Sequence, residues 1–89
     1  MYRPYGWLIG LALAALTGCG VEPSAACDRF VRCVQARDAQ QGTQTNLDRF
    51  LPAGKCWSNS GLAEQCDRGC ERGVDWLRTA YADLPPECW

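Results

Sequence analysis

The sequence predicts a small all-α domain: an antiparallel helical hairpin with a short connecting helical turn, stapled by three disulfides and preceded by a cleaved signal peptide. Three observations carry this prediction. Two stretches repeat their apolar residues at the helical period, and a polar connection punctuated by Gly and Pro separates them. Seven cysteines fall in 89 residues, a density characteristic of small exported chains that cannot build a large core. One of them, Cys19, stands alone behind an apolar run. The other six (Cys27, Cys33, Cys56, Cys66, Cys70 and Cys88) form an even set that pairs without remainder.

The chain opens with a short n-region, Met1 to Gly6, whose one charged side chain is Arg3. Trp7 to Leu16 is an uncharged apolar run. It is too short for a permanent membrane helix, which takes about 20 residues, and it has the length of a signal-peptide h-region. Leu16-Thr17-Gly18-Cys19 follows. Here the chain resembles bacterial lipoprotein precursors, whose lipobox is an aliphatic residue, a small one, Gly or Ala, and an obligatory Cys. The resemblance covers about a fifth of the chain. It implies that residues 1–18 are removed by cleavage between Gly18 and Cys19. It implies that the Cys19 thiol carries a diacylglyceryl group and its amino group an acyl chain such as palmitate. It also implies that residues 19–24 tether a domain spanning residues 25–89 to a membrane of the cell envelope. Gly20, where Asp would favour inner-membrane retention, implies the outer membrane if the cell is Gram-negative. Burial contributes ~0.8 kcal/mol per CH₂, so two or more chains anchor stably where one is marginal. Five extended residues, Gly20 to Ser24, reach roughly 17 Å and keep the domain near the bilayer.

The first helix is predicted from Ser24 to about Asp38. Pro23 precedes it and Ser24 is a good N-cap. Ala26, Cys27, Cys33 and Val34 lie within about 60° of Phe30 on the helical wheel, and Asp28, Arg32 and Gln35 lie opposite. The helix fades in the polar run Ala39 to Gly42. Thr45-Asn46-Leu47-Asp48 resembles a capping box that starts one helical turn through Leu51, stopped by Pro52. Ala53-Gly54-Lys55 is a turn leading to Cys56-Trp57.

The clearest element is a long helix from about Gly61 to Asp83. Leu62, Gly69, Cys70, Gly73, Leu77, Ala80, Tyr81 and Leu84 fall within about 60° of Cys66, with Val74 and Trp76 flanking near 80°. Glu64, Arg68, Glu71, Arg72, Asp75 and Arg78 occupy the other side, and Glu64 and Arg68 have favourable i,i+4 spacing. Pro85-Pro86 ends the helix. Gly69 and Gly73 each cost a helix interior ~1 kcal/mol relative to Ala, so another backbone is expected to approach closely there.

Geometry narrows the cysteine pairing. In a helix Cys27 and Cys33 are about 9 Å apart, beyond bridging range. Cys66 and Cys70 have parallel Cβ vectors. In an antiparallel hairpin the tail beyond the long helix returns to the start of the first, which predicts Cys27–Cys88, Cys33–Cys70 and Cys56–Cys66. The alternative, Cys27–Cys70, Cys33–Cys66 and Cys56–Cys88, must link residues at opposite ends of a helix ~33 Å long.

Lys and Arg number nine, Asp and Glu ten, for a net charge of −1. No basic block supplies the field that nucleic acid requires. Histidine is absent, so there is no Ser-His or Cys-His pair, and the carboxylates of the long helix fall on a solvated face. An exported thiol set oxidises rather than binding zinc, and no Cys-x-x-Cys marks a redox centre. The sequence therefore points away from an enzyme, a metal site or a cofactor. The remaining binding candidates are Trp57, Trp76 and Trp89, because tryptophans anchor protein contacts. The expected function is a membrane-anchored interaction module that meets an envelope protein or cell-wall material. The alternatives are an accessory envelope lipoprotein without a ligand site, and a small envelope enzyme.

Overall fold

The computed structural model describes residues 21–89; the signal peptide, its cleavage site and Cys19 lie outside the described residues. The regular structure of the described residues consists of two α-helices, α1 (Ala25–Gln41) and α2 (Ser60–Ala80), and 3-10 turns at Asp48–Phe50, Lys55–Trp57 and Pro86–Cys88. The described residues contain no strand. The domain is all-α and disulfide-stapled, and helical turns lie between its two helices.

Helix α1 begins where Ser24, in extended backbone, accepts the Cys27 N–H on Oγ at 3.1 Å. It runs to Gln41, three residues past the predicted Asp38. There Gly42 turns left-handed at φ 67° and donates to the Asp38 carbonyl, a conformation that glycine adopts without a Cβ penalty. The Asp38 carboxylate then accepts the hydroxyls of Thr43 and Thr45 at 2.8 and 3.2 Å. Thr45 is thereby drawn away from the predicted capping box. Asn46 does the local work instead, its Oδ1 accepting the Asp48 N–H at 3.0 Å ahead of the 3-10 turn. The return turn closes only around glycine, because a Cβ on Gly54 would collide with the Asp48 and Arg49 carbonyl oxygens.

Helix α2 starts at Ser60, capped by Asn59 Oδ1, which accepts the Leu62 N–H at 2.8 Å. It stops at Ala80 rather than Asp83. Tyr81 is already extended (φ −129°, ψ 135°), and this bend lets the chain fold back so that Cys88 reaches α1.

The two helices run in the same direction, which corrects the predicted antiparallel hairpin. Successive residues of α1 meet successive residues of α2 in ascending order. Cys27 is bonded to Cys70, the Phe30 ring lies over Gly73, Cys33 packs with Leu77, and the Arg37 guanidinium sits 4.3 Å from the Tyr81 ring centroid. Parallel helices need a return connection. Residues 42–59 supply it, running back over the ~26 Å length of α1 and adding buried Leu47, Cys56 and Trp57 to the core.

Direction also decides the disulfides. Cys56–Cys66 forms as predicted. The other two exchange partners, giving Cys27–Cys70 and Cys33–Cys88 in place of Cys27–Cys88 and Cys33–Cys70. In a parallel pair the tail beyond α2 emerges at Tyr81 beside Arg37 and folds back on the middle of α1, where Cys33 lies, and not on Cys27. Cα–Cα separations of 5.0, 4.5 and 5.9 Å suit unforced bridges.

The core has two clusters. One gathers Cys27, Cys56, Trp57, Cys66 and Cys70, and the other Cys33, Leu77 and Cys88. Phe30 packs on both and contacts Phe50 edge-on at 5.4 Å. Ala80 and Tyr81, placed on the inner face by periodicity, are exposed, because the core ends with Leu77.

The paired glycines do not mark a second backbone. A Cβ on Gly73 would lie 2.7 Å from Phe30 Cε1, so that glycine accommodates a ring. A Cβ on Gly69 would meet nothing within 4 Å. Gly69→Ala is therefore expected to stabilise the domain by about 0.5–1 kcal/mol through helix propensity. Gly73→Ala is expected to destabilise it by displacing Phe30. Thermal melts of the two variants should move in opposite directions, and a lower melting point for Gly69→Ala would contradict the open space at that position.

Candidate functional site: exposed aromatics at the C-terminal ends of the helices

The three tryptophans among the described residues have different environments. Trp57 is 4% exposed. Cys56, beside it, is bridged to Cys66, and this pulls the Lys55–Trp57 turn onto α2. The indole lies in the cluster of Cys27, Cys66 and Cys70, and its Nε1–H donates to the Phe50 carbonyl at 3.1 Å. Trp57 is a core residue, which corrects its candidacy as a binding residue.

Trp76 and Trp89 are 61% and 63% exposed. Trp76 stands one turn before the end of α2. Its ring meets Tyr81 edge-on, with centroids 5.8 Å apart and planes at 84°, and Arg37 of α1 covers Tyr81 from the other helix. These contacts form a small group, Arg37–Tyr81–Trp76, across the ends of both helices.

Trp89 is held by a different device. The Cys33–Cys88 bridge fixes the residue before it. Arg78 donates from Nε to the Cys88 carbonyl at 2.6 Å and from Nη2 to the Trp89 carbonyl at 3.4 Å. Its guanidinium carbon lies 5.3 Å from the Trp89 ring centroid, a cation–π contact that steadies the indole beyond Cys88. Trp76 and Arg78 point about 200° apart around α2, so the two aromatic groups occupy opposite flanks of the same end of the domain.

Sequence reasoning located Trp76 and Trp89 but missed their partners. Arg37 follows Phe30 by seven residues, two helical turns, and so shares the stripe that faces α2. That spacing was the available signal. Periodicity puts Tyr81 on the inner face of the long helix and Arg78 among the solvated charges.

Among the described residues a depression of about 660 Å³ follows the polar loop between Asp38 and Leu51, and two more lie along the sides of the helices. One, of about 640 Å³, is lined by Arg29, Arg68, Arg72 and Arg78 together with Asp67, Glu71 and Asp75. Its charges are of both signs, so it concentrates neither. The other, of about 300 Å³, lies on the opposite flank between Phe30, Phe50, Leu62 and Gly69. The six cysteines of the domain are all oxidised to disulfides, so none presents a thiolate as nucleophile or ligand. An exposed indole braced by a tyrosine or an arginine is suited to desolvated contact with a partner, the role in which Trp, Tyr and Arg dominate binding energy. No family model, curated protein or solved structure matches the chain.

Proposed function

We propose that the chain is a lipid-anchored bacterial envelope protein without catalytic activity, whose stapled domain docks on another envelope protein through Trp76 and Trp89. The observation that carries this reading is the contrast in burial. A domain with few large apolar residues keeps one tryptophan at 4% exposure and leaves two above 60%. Each of those two is oriented by an aromatic or cationic neighbour. The Leu16-Thr17-Gly18-Cys19 motif supports the anchor.

Affinity isolation of the intact lipoprotein from detergent-solubilised envelopes tests the reading. A stoichiometric partner is expected, and Trp76→Ala or Trp89→Ala should weaken its binding by about tenfold or more, the scale of a hot-spot truncation. Circular dichroism of both variants should stay at wild type. Absence of any stoichiometric partner would instead favour an accessory lipoprotein with no specific ligand.

A further inference from the structure

The Val21 N–H donates to the Trp57 carbonyl at 3.1 Å. That bond ties the incoming chain to the Lys55–Trp57 turn, which the Cys56–Cys66 bridge fastens covalently to α2. Cys19 precedes Val21 by two residues, and two residues span at most about 7 Å. A group attached at Cys19 would therefore join the domain close to Val21, at one end of it.

Which end is settled by the parallel arrangement. Val21, Ser24, Lys55–Trp57 and the start of α2 at Ser60 gather at the N-terminal ends of the helices. In an antiparallel hairpin that end would also have carried the close of the second helix. Here both helices point away from it together, and Trp76 lies 16 residues along α2 from Ser60, about 24 Å by helical rise. Trp89 follows Cys88, which is bridged to Cys33 and packs with Leu77, so it lies at the same far level.

From these positions we infer that the domain stands upright on the bilayer, with the end formed by residues 21–24 and 55–61 facing the lipid and Trp76, Tyr81 and Trp89 in water at the distal end. The inference rests on the lipid-anchor reading of Cys19. It opposes the simplest expectation for exposed Trp and Tyr on a membrane-attached protein, which is that amphipathic rings settle into the headgroup layer. The occupant of the proximal face is the bilayer surface that holds the acyl chains, and the aromatic end is left for a partner in the aqueous compartment. The proximal end exposes one apolar side chain, Val21, among the exposed polar or small residues Glu22, Lys55, Ser58, Asn59, Ser60 and Gly61. It therefore rests on headgroups without inserting.

Lys55 is the sole lysine of the chain and is exposed at the proximal end, so an amine-reactive dye can be placed there. The mature lipoprotein, reconstituted in phosphatidylcholine vesicles containing a headgroup-spin-labelled lipid, supplies the test. Quenching of the Lys55 dye is expected to be several-fold stronger than quenching of the emission lost in a Trp76→Phe, Trp89→Phe double variant. Acrylamide in the water should quench that same emission strongly. Strong lipid quenching of Trp76 and Trp89, or none of Lys55, in protein that floats with the vesicles would overturn the upright orientation. Wild-type protein that fails to float, or a chain lacking residues 1–18 and carrying Cys19→Ala that floats equally well, would overturn the anchor itself and the orientation with it.

Discussion

A variant with Cys27 and Cys70 both replaced by alanine is expected to lose about 4 kcal/mol of stability and to be largely unfolded near about 37 °C. The bridge closes a loop with a sequence separation of 43 residues, and the chain-entropy cost released in the unfolded state grows with the logarithm of that length. The total available is small, since a domain of this size is worth roughly 3–10 kcal/mol. The position of the bridge adds to the effect. Cys27 and Cys70 are 0% and 1% exposed and lie in the same cluster as Trp57, with Phe30 packed against it, so the substitution also leaves a void at the centre of the helix contact. The double substitution is chosen so that no lone thiol remains to exchange with the other bridges. Far-UV circular dichroism under non-reducing conditions reads the outcome. A melt within a few degrees of wild type would mean that the parallel pairing is secured without this crosslink. Loss of Cys56–Cys66 should cost less, about 3 kcal/mol, because its partners are separated by only 10 residues.

The same bridges show what the amino-acid sequence does and does not make legible. Helical period, the N-cap at Ser24 and the breakers around Pro52 and Pro85 reveal that the elements exist, because each is a local preference. Period also identifies which face is buried, which is why Cys27, Phe30, Cys66 and Leu77 were placed correctly. It carries no information on whether two faces meet head to head or head to tail. A helical wheel is the same in both cases, and residues 42–59 are long enough for either connection. The exchange of partners between Cys27 and Cys33 follows entirely from that one undetermined sign. Cys56–Cys66 was legible because its loop is short and does not depend on helix direction. The candidate site was half legible for a related reason. Trp76 flanks the buried stripe and Trp89 lies beyond the Pro85-Pro86 break, outside both helices, so exposure could be read locally. Trp57 lies in an irregular segment where no periodicity applies, and its burial follows from the disulfide at Cys56 and the carbonyl of Phe50, both tertiary facts.

Trp57→Ala is expected to destabilise the domain by about 3–5 kcal/mol, the cost of truncating a large core aromatic, whereas Trp76→Ala and Trp89→Ala should each stay within about 0.5 kcal/mol of wild type as exposed substitutions. The indole of Trp57 contributes in two ways that substitution can separate. Trp57→Phe keeps most of the apolar body but removes the Nε1–H donated to the Phe50 carbonyl. The carbonyl then loses its indole partner, a loss on the order of 1 kcal/mol plus the missing ring volume. Trp57→Ala removes the body as well and opens the space between Cys27, Cys66 and Cys70. Chemical denaturation of the four variants should therefore rank them Trp57→Ala, Trp57→Phe, then the two exposed positions together. A large loss at Trp76 would mean that its packing on Tyr81 is structural, and the case for that residue as a docking anchor would fail. The ranking also bears on any binding assay. A partner lost with Trp57→Ala reports unfolding, and only a partner lost with Trp76→Ala or Trp89→Ala, at unchanged stability, reports contact.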